Sequence, residues 1–145
     1  MEIALLHTHS LLRWLVVGFL VIAIIKSLSG WFGKKDFTKP DNIIALLLLS
    51  FTHLQLIAGF ALYFMKGWST QLTNMSDPIA RFWGMEHGFT MIITIALITI
   101  GRIKSKKATE SIQKHKKSVI FYSIALVLII WAGIVKPMLL GKGLI

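Results

Sequence analysis

Residues 43–65, IIALLLLSFTHLQLIAGFALYFM, contain no Lys, Arg, Asp or Glu and decide the fold of this chain. A helix rises about 1.5 Å per residue, so the stretch is long enough to cross about 30 Å of hydrocarbon. In lipid its backbone can form hydrogen bonds only within a helix. The stretch therefore predicts a transmembrane helix whose most polar interior side chains are His53 and Gln55.

Three further stretches share this character. Together they predict an all-α protein, an integral membrane antiparallel four-helix bundle that forms a single domain over residues 1–145. We expect spans at about 3–28, 42–65, 79–103 and 117–137. With 55% hydrophobic and 15% charged residues and a mean hydropathy of +0.72, the chain is too apolar for a soluble domain. No basic segment precedes the first stretch, so we expect a retained span and not a cleaved signal peptide.

The basic residues predict the orientation of the spans. The net charge of +10 lies beside hydrophobic segments, which indicates membrane topology and not nucleic-acid binding. The first and third loops hold Lys26, Lys34, Lys35, Lys39, Arg102, Lys104, Lys106, Lys107, Lys114, Lys116 and Lys117. Because cytoplasmic loops are rich in Lys and Arg, we expect a bacterial inner-membrane protein with these basic loops cytoplasmic and both termini periplasmic.

The expected partners follow from this topology. The lipid bilayer is the first, and a membrane-protein partner or a second copy of the chain is another; nucleic acid is not expected. The lysine-rich third loop fixes topology and can also contact anionic headgroups. Aromatic residues that suit the headgroup region fall near the span ends: Trp31, Phe32, Trp68, Trp83 and Trp131.

The absence of cysteine narrows the chemistry. It excludes disulfides, thiolate metal sites, iron–sulfur clusters and covalent haem attachment. The sequence also contains no hydrolase or transferase constellation and no glycine-rich phosphate motif. We therefore expect no catalysis beyond electron transfer.

Seven polar residues inside the spans carry the functional information, because each costs free energy in hydrocarbon unless it is paired or used. They are His7, His9, Arg13, His53, Gln55, Glu86 and His87. His9 lies six residues in from Ile3, and His87 six residues in from Arg81, so both rings should lie roughly 9 Å deep. The first and third helices of such a bundle are diagonal neighbours. The two imidazoles can therefore face each other, which is the geometry of bis-histidine haem ligation.

Other polar residues complete the predicted site. Arg13 lies one turn below His9, and we expect it to pair with Glu86 or to neutralise a haem propionate. His53 should lie about 10 Å deeper, so it is a second-choice ligand together with His87. Gln55 is turned about 200° from His53 and should face another neighbouring helix.

The glycines near His87 have two interpretations. Gly84 and Gly88 leave room for a bulky planar guest, or they form a small-xxx-small motif for helix packing. Two further histidines, His7 and His115, are expected to face solvent or lipid headgroups.

Five short motifs resemble a known family. They are Leu6-His7-Thr8-His9-Ser10-Leu11-Leu12-Arg13-Trp14, Thr52-His53-Leu54-Gln55-Leu56, Glu86-His87, Gly101-Arg102 and Lys114-His115-Lys116. Together they resemble small four-span bacterial membrane proteins labelled "cytochrome B", over essentially the whole chain. The resemblance implies a non-covalently held b-type haem and a role near respiratory electron transfer. It assigns function to His9, Arg13, Glu86 and His87, with His53 as a further position. Cytochromes b with two haems fill two membrane levels, whereas here one level at most is filled.

Three interpretations stay open. The first is a single-haem electron-transfer protein with haem b between His9 and His87 and with Arg13 as electrostatic partner. The second is a non-enzymatic accessory or assembly subunit whose buried polar residues hold the helices in register. The third is a small metal or proton carrier that uses the histidines and Glu86, a donor set suited to zinc, copper or iron.

Overall fold

A computed structural model describes residues 2–141, which are all-helical with four long helices. The helices are α1 (Glu2–Phe32), α2 (Lys39–Met65), α3 (Pro78–Lys107) and α4 (Ser111–Leu139). Each is long and apolar enough to cross a membrane, so the prediction of four such helices is confirmed. Each helix contains one predicted span and extends beyond it.

The helices extend past the apolar stretches because polar capping residues set their ends. Thr38 and Asp41 form a capping box at the start of α2, in which Thr38 N–H donates to Asp41 Oδ2 at 2.8 Å. Pro40 occupies the first turn of this helix, where its missing N–H costs nothing. Asp77 caps α3 by accepting a hydrogen bond from the backbone N–H of Ile79 at 3.3 Å.

Helix α1 packs along α2 and α4, and α3 packs mainly along α4. Helices α2 and α3 contact each other at fewer points, and α1 and α3 hardly touch. The centre of the helical bundle is a buried apolar core formed by all four helices. It includes Val16, Leu20, Ala23, Leu48, Ile98, Tyr122, Ala125 and Ile129.

The two ends of the bundle contain different parts of the chain and different contacts. The terminal end contains the starts of α1 and α3, where Tyr63 O–H donates to the Gly84 carbonyl at 2.7 Å. The lysine-rich end contains the α1–α2 and α3–α4 loops, where Arg102 donates to the side chain of Asn42 at 3.1 Å. A short 3₁₀ helix, Trp68–Thr73, covers part of the terminal end.

Candidate functional site

A cavity of about 690 Å³ lies at the terminal end of the bundle. This volume falls in the range of about 300–1,000 Å³ that is usual for cofactor and small-molecule sites. Its walls are mainly apolar, and the polar residues that line it include His9, Arg13, Gln55 and His87. Two predicted haem ligands, His9 and His87, therefore border one space.

His87 is held by a backbone group of α4. Its Nδ1 lies 2.9 Å from the carbonyl oxygen of Ala132. Because a carbonyl oxygen only accepts, Nδ1 carries the proton, and in the neutral imidazole Nε2 then carries the lone pair. A backbone carbonyl on one ring nitrogen is the usual support of a histidine that ligates a metal through the other nitrogen. The rings of Phe82 and Trp83 flank the imidazole, with centroids 5.5 and 5.2 Å away.

Pro137 accounts for the availability of this carbonyl. Residues 130–135 of α4 form a π-helical turn, in which hydrogen bonds run from residue i to residue i−5. Residue 137 would donate to Gly133 in the α register and to Ala132 in the π register, but proline has no N–H. The N–H of Lys136 goes to Trp131 and so does not serve Ala132 either.

Two polar side chains from other helices meet these carbonyls. His87 of α3 donates to Ala132, and Nη1 of Arg13 on α1 lies 3.5 Å from the oxygen of Gly133. Neither Lys136 nor Pro137 of α4 donates to the carbonyl of Ala132, so His87 supplies its donor, and Arg13 approaches the carbonyl of Gly133. Two of the predicted site residues, His87 and Arg13, are thus positioned by a local feature of the fourth helix that the spacing of the polar residues did not indicate. The signal was available, because a proline within an apolar helix removes a backbone donor.

The expected ion pair between Arg13 and Glu86 is wrong. The carboxylate of Glu86 pairs instead with Arg81 on its own helix, where Oε1 and Nε are 3.1 Å apart. Arg13 is 8% exposed, faces Gly133, and stacks its guanidinium 5.0 Å from the ring centroid of Trp14. The physical reason is that α1 packs along α4 and hardly contacts α3, so Arg13 meets α4 first.

His9 is positioned by α2. A Cβ added to Gly59 would lie 3.3 Å from Cε1 of His9, so the ring packs directly on the backbone of α2. Gln55 donates from Nε2 to the backbone carbonyl of His9 at 2.9 Å. Gln55 therefore faces α1 while His53 faces α3, which confirms that the two side chains turn to different neighbours.

The ligand pair of His53 and His87 is wrong. Nε2 of His53 lies 3.3 Å from Oγ1 of Thr99, and the residue is exposed. Thr99 lies twelve residues beyond His87 on the same helix, which is roughly 18 Å along its axis. His53 and His87 therefore lie at levels roughly 18 Å apart, which is more than the roughly 10 Å estimated from the sequence. Helix tilt cannot close this distance, so the two histidines do not share one ligand site.

The two glycines near His87 have separate roles. A Cβ on Gly88 would meet nothing within 4 Å, and this residue lines the cavity. A Cβ on Gly84 would lie 3.4 Å from the carbonyl of Trp68, in the short helix over the terminal end. The atoms nearest to an added Cβ on Gly84 belong to the 68–77 segment, and Gly88 has open space, so the close helix approach of a small-xxx-small motif is not made by these two Cα positions. Gly84 contacts α2 through its carbonyl, which accepts from Tyr63.

The environment predicted for His115 is also wrong. The residue is 1% exposed, and its ring nitrogens lie 3.4 Å from Ser27 Oγ and 3.3 Å from the Asp36 carbonyl. A Cβ on Gly30 would overlap the ring, so this glycine makes the space that buries it. We expected a solvated segment because lysines lie on either side of His115. The expectation failed because the sequence does not show which side of a helix faces its neighbour. His7, in contrast, is exposed as predicted.

Within residues 2–141, His, Asp and Glu side chains do not gather in groups of three that could hold a bare metal ion. A haem held by two axial histidines does not need such a group. No family model, curated protein or solved structure matches the chain. The cavity and the residues that line it are therefore the basis for a functional proposal.

Proposed function

We propose that this chain is a bacterial inner-membrane cytochrome that holds one haem b in the cavity and transfers electrons near the respiratory chain. The observation that carries the proposal is that His9 and His87 line one cavity of about 690 Å³ although they lie on helices that hardly touch. A planar cofactor between two such helices would have one ligand from each side. This is also what the resemblance to four-span proteins labelled "cytochrome B" implies.

The residues around the cavity fit haem in three respects. The hydrogen bond to Ala132 favours the neutral tautomer of His87 with its lone pair on Nε2, the atom that would ligate iron. Gly88 presents bare backbone to the space, which suits a flat macrocycle. Arg13 and Lys66 line the same cavity and would offer positive charge to the two propionates, for which Lys66 would exchange its ion pair with Glu2, 3.7 Å away.

The haem would supply the one-electron chemistry, and the protein would supply the ligands and keep water away. The cavity has apolar walls and reaches the surface between α2 and α3, the neighbouring helices with the fewest contacts. Phe60 and Phe89 line it there and are 45% and 66% exposed. An edge of the macrocycle at this opening would face lipid, which provides a route for the cofactor and for electrons.

The proposal includes insertion as an antiparallel four-helix bundle. The lysine-rich end carries eleven of the sixteen Lys and Arg residues but only three of the six Asp and Glu residues. The positive-inside rule then favours this end as cytoplasmic and both termini as periplasmic. The cavity would lie near the periplasmic surface, and a single haem there exchanges electrons on one side of the membrane.

The test is an absorption spectrum of the protein purified from haem-replete cells, recorded with and without dithionite. We expect a Soret band and split α and β bands on reduction, and we expect His9→Ala and His87→Ala each to weaken them strongly. His53→Ala is the matched control, since it removes an intramembrane histidine outside the cavity and should leave the spectrum unchanged.

A colourless wild-type protein would overturn the haem proposal. The accessory or assembly role would then be the remaining interpretation, and it predicts a stoichiometric partner on pull-down from native membranes. An equal loss of colour in His53→Ala would contradict the assignment of the ligands.

A further inference from the structure

At the lysine-rich end, Trp31, Phe32 and Lys116 lie together, and the exposed Lys34 follows Phe32 by two residues; we call these four residues the aromatic–lysine patch. The rings of Trp31 and Phe32 stack, with centroids 4.8 Å apart and planes 16° apart. Nζ of Lys116, on α4, lies 5.9 Å from the centroid of the Trp31 ring. Phe32 is 73% exposed, so the patch combines an open apolar ring with ammonium groups.

The backbone of Lys34 is unusual. Its φ is +51°, and among residues 2–141 it is the one non-glycine residue with a positive φ. The N–H of Lys35 returns to the carbonyl of Gly30 at 2.9 Å, as in the helix ending that normally has glycine at the left-handed position. A lysine there is strained, and strain of this kind is typical of positions whose side chain has a use.

Nearby acidic groups do not neutralise the patch. This end holds eleven basic residues and three acidic ones, Asp36, Asp41 and Glu110. Asp41 is already engaged by Lys26, with Nζ and Oδ1 3.7 Å apart, and by the backbone N–H of Thr38. An excess of positive charge therefore remains at this end.

We propose that the aromatic–lysine patch binds the headgroup of an anionic phospholipid of the surrounding bilayer. The ammonium groups of Lys34 and Lys116 would donate to the phosphate, and the rings of Trp31 and Phe32 would lie at headgroup level. The charge favours an anionic lipid over a zwitterionic one. The position favours a lipid over nucleic acid, because the patch begins where an apolar membrane helix ends. The proposal rests on membrane insertion and is independent of haem.

The test uses the full chain in mild detergent with added phosphatidylglycerol or phosphatidylcholine, and counts bound lipid by native mass spectrometry. We expect preferential binding of phosphatidylglycerol by the wild type. Lys116→Gln should weaken it about five-fold, the equivalent of about 1 kcal/mol for one lysine near an anionic surface. Lys107→Gln is the matched control, because it removes one exposed charge at the same end but outside the patch.

Lys34→Gly separates the role in binding from a role in structure. Glycine relieves the strained backbone, so we expect a higher melting temperature in neutral detergent together with weaker binding of phosphatidylglycerol. A higher melting temperature with unchanged lipid binding would overturn the proposal. It would also be overturned by equal binding of both lipids, or by a Lys107→Gln variant that loses as much binding as Lys116→Gln.

Discussion

Each end of the bundle contains a histidine that is hydrogen-bonded to a backbone carbonyl, His115 at one end and His87 at the other. The surroundings of the two rings differ. At the lysine-rich end, His115 has partners at both ring nitrogens and is packed against Gly30. At the terminal end, the ring of His87 borders a cavity of about 690 Å³. A histidine between the helices is therefore a candidate ligand because of the space beside it, and burial or residue type alone does not identify one.

Packing explains why the space lies at one end. Near the lysine-rich end, α3 and α4 approach closely, since a Cβ on Gly101 would lie 2.6 Å from Cβ of Phe121. Ser118 donates to Ser105 across the same contact at 3.2 Å. Small residues and hydroxyl groups of this kind hold membrane helices together. At the terminal end, π-helical turns in α3 and α4 accompany looser packing, and such turns are frequent at functional sites.

The largest effect on stability is expected from a substitution that disrupts the packing of the lysine-rich end. Gly30→Ala places a Cβ in the ring of His115, which is fully buried and cannot move aside without losing its hydrogen bonds. We expect a loss of stability of about 1–3 kcal/mol, measured by thermal denaturation in detergent. Gly18→Ala is the control on the same helix, because a Cβ there meets nothing within 4 Å. Equal melting temperatures for the two variants would contradict the close packing of His115.

Pro137→Ala tests how His87 is positioned at the terminal end. Restoring an N–H gives α4 its own donor for Gly133 or Ala132, in competition with Arg13 and His87. We expect stability to rise by about 1 kcal/mol, less than the cost of about 3 kcal/mol for a helix-interior proline because the side-chain donors already offset part of it.

The readout for Pro137→Ala is ¹⁵N NMR of the His87 ring. The wild type should hold the proton on Nδ1, and the variant should have a mixture of tautomers with lower haem occupancy. An unchanged tautomer would mean that Pro137 does not set the position of His87.

Gly88→Leu should have the smallest effect on stability and should still prevent haem binding. A Cβ there meets nothing within 4 Å and the side chain continues into the cavity, and leucine is a better helix former, so we expect a gain below about 1 kcal/mol. Haem occupancy, measured from the Soret absorbance relative to protein, should fall strongly. Gly18→Leu also has open space around its Cβ but lies outside the cavity, so it should keep haem. Full occupancy in Gly88→Leu would place the cofactor elsewhere.

Part of the site could be predicted from spacing along the chain. His9 and His87 line one cavity, as expected from equal depths counted along two helices. The opposite directions of His53 and Gln55 followed from the angle of about 100° per residue in a helix. The directions of His53 and Gln55 are confirmed because they depend only on regular helix geometry, whereas the facing of the His9 and His87 rings at one level stays a prediction.

Contacts between helices were predicted less well. Arg13 was expected at Glu86 and lies at Gly133, and His115 was expected at the surface and is buried. In a membrane protein the lipid-facing and core-facing sides are equally apolar, so hydrophobic periodicity does not give the rotation of each helix. Without that rotation, the partner of a long polar side chain cannot be read from the chain.

The amino-acid sequence by itself determined the four apolar helices, their polar caps and the positions of the histidines along them, because long uncharged stretches between polar capping residues favour helices that satisfy their own backbone hydrogen bonds. The tertiary structure alone decided which histidine faces open space and which is enclosed. That choice depends on close approach at Gly30 and Gly101 and on the carbonyls exposed by Pro137. These features acquire their effect only when a second helix lies against them.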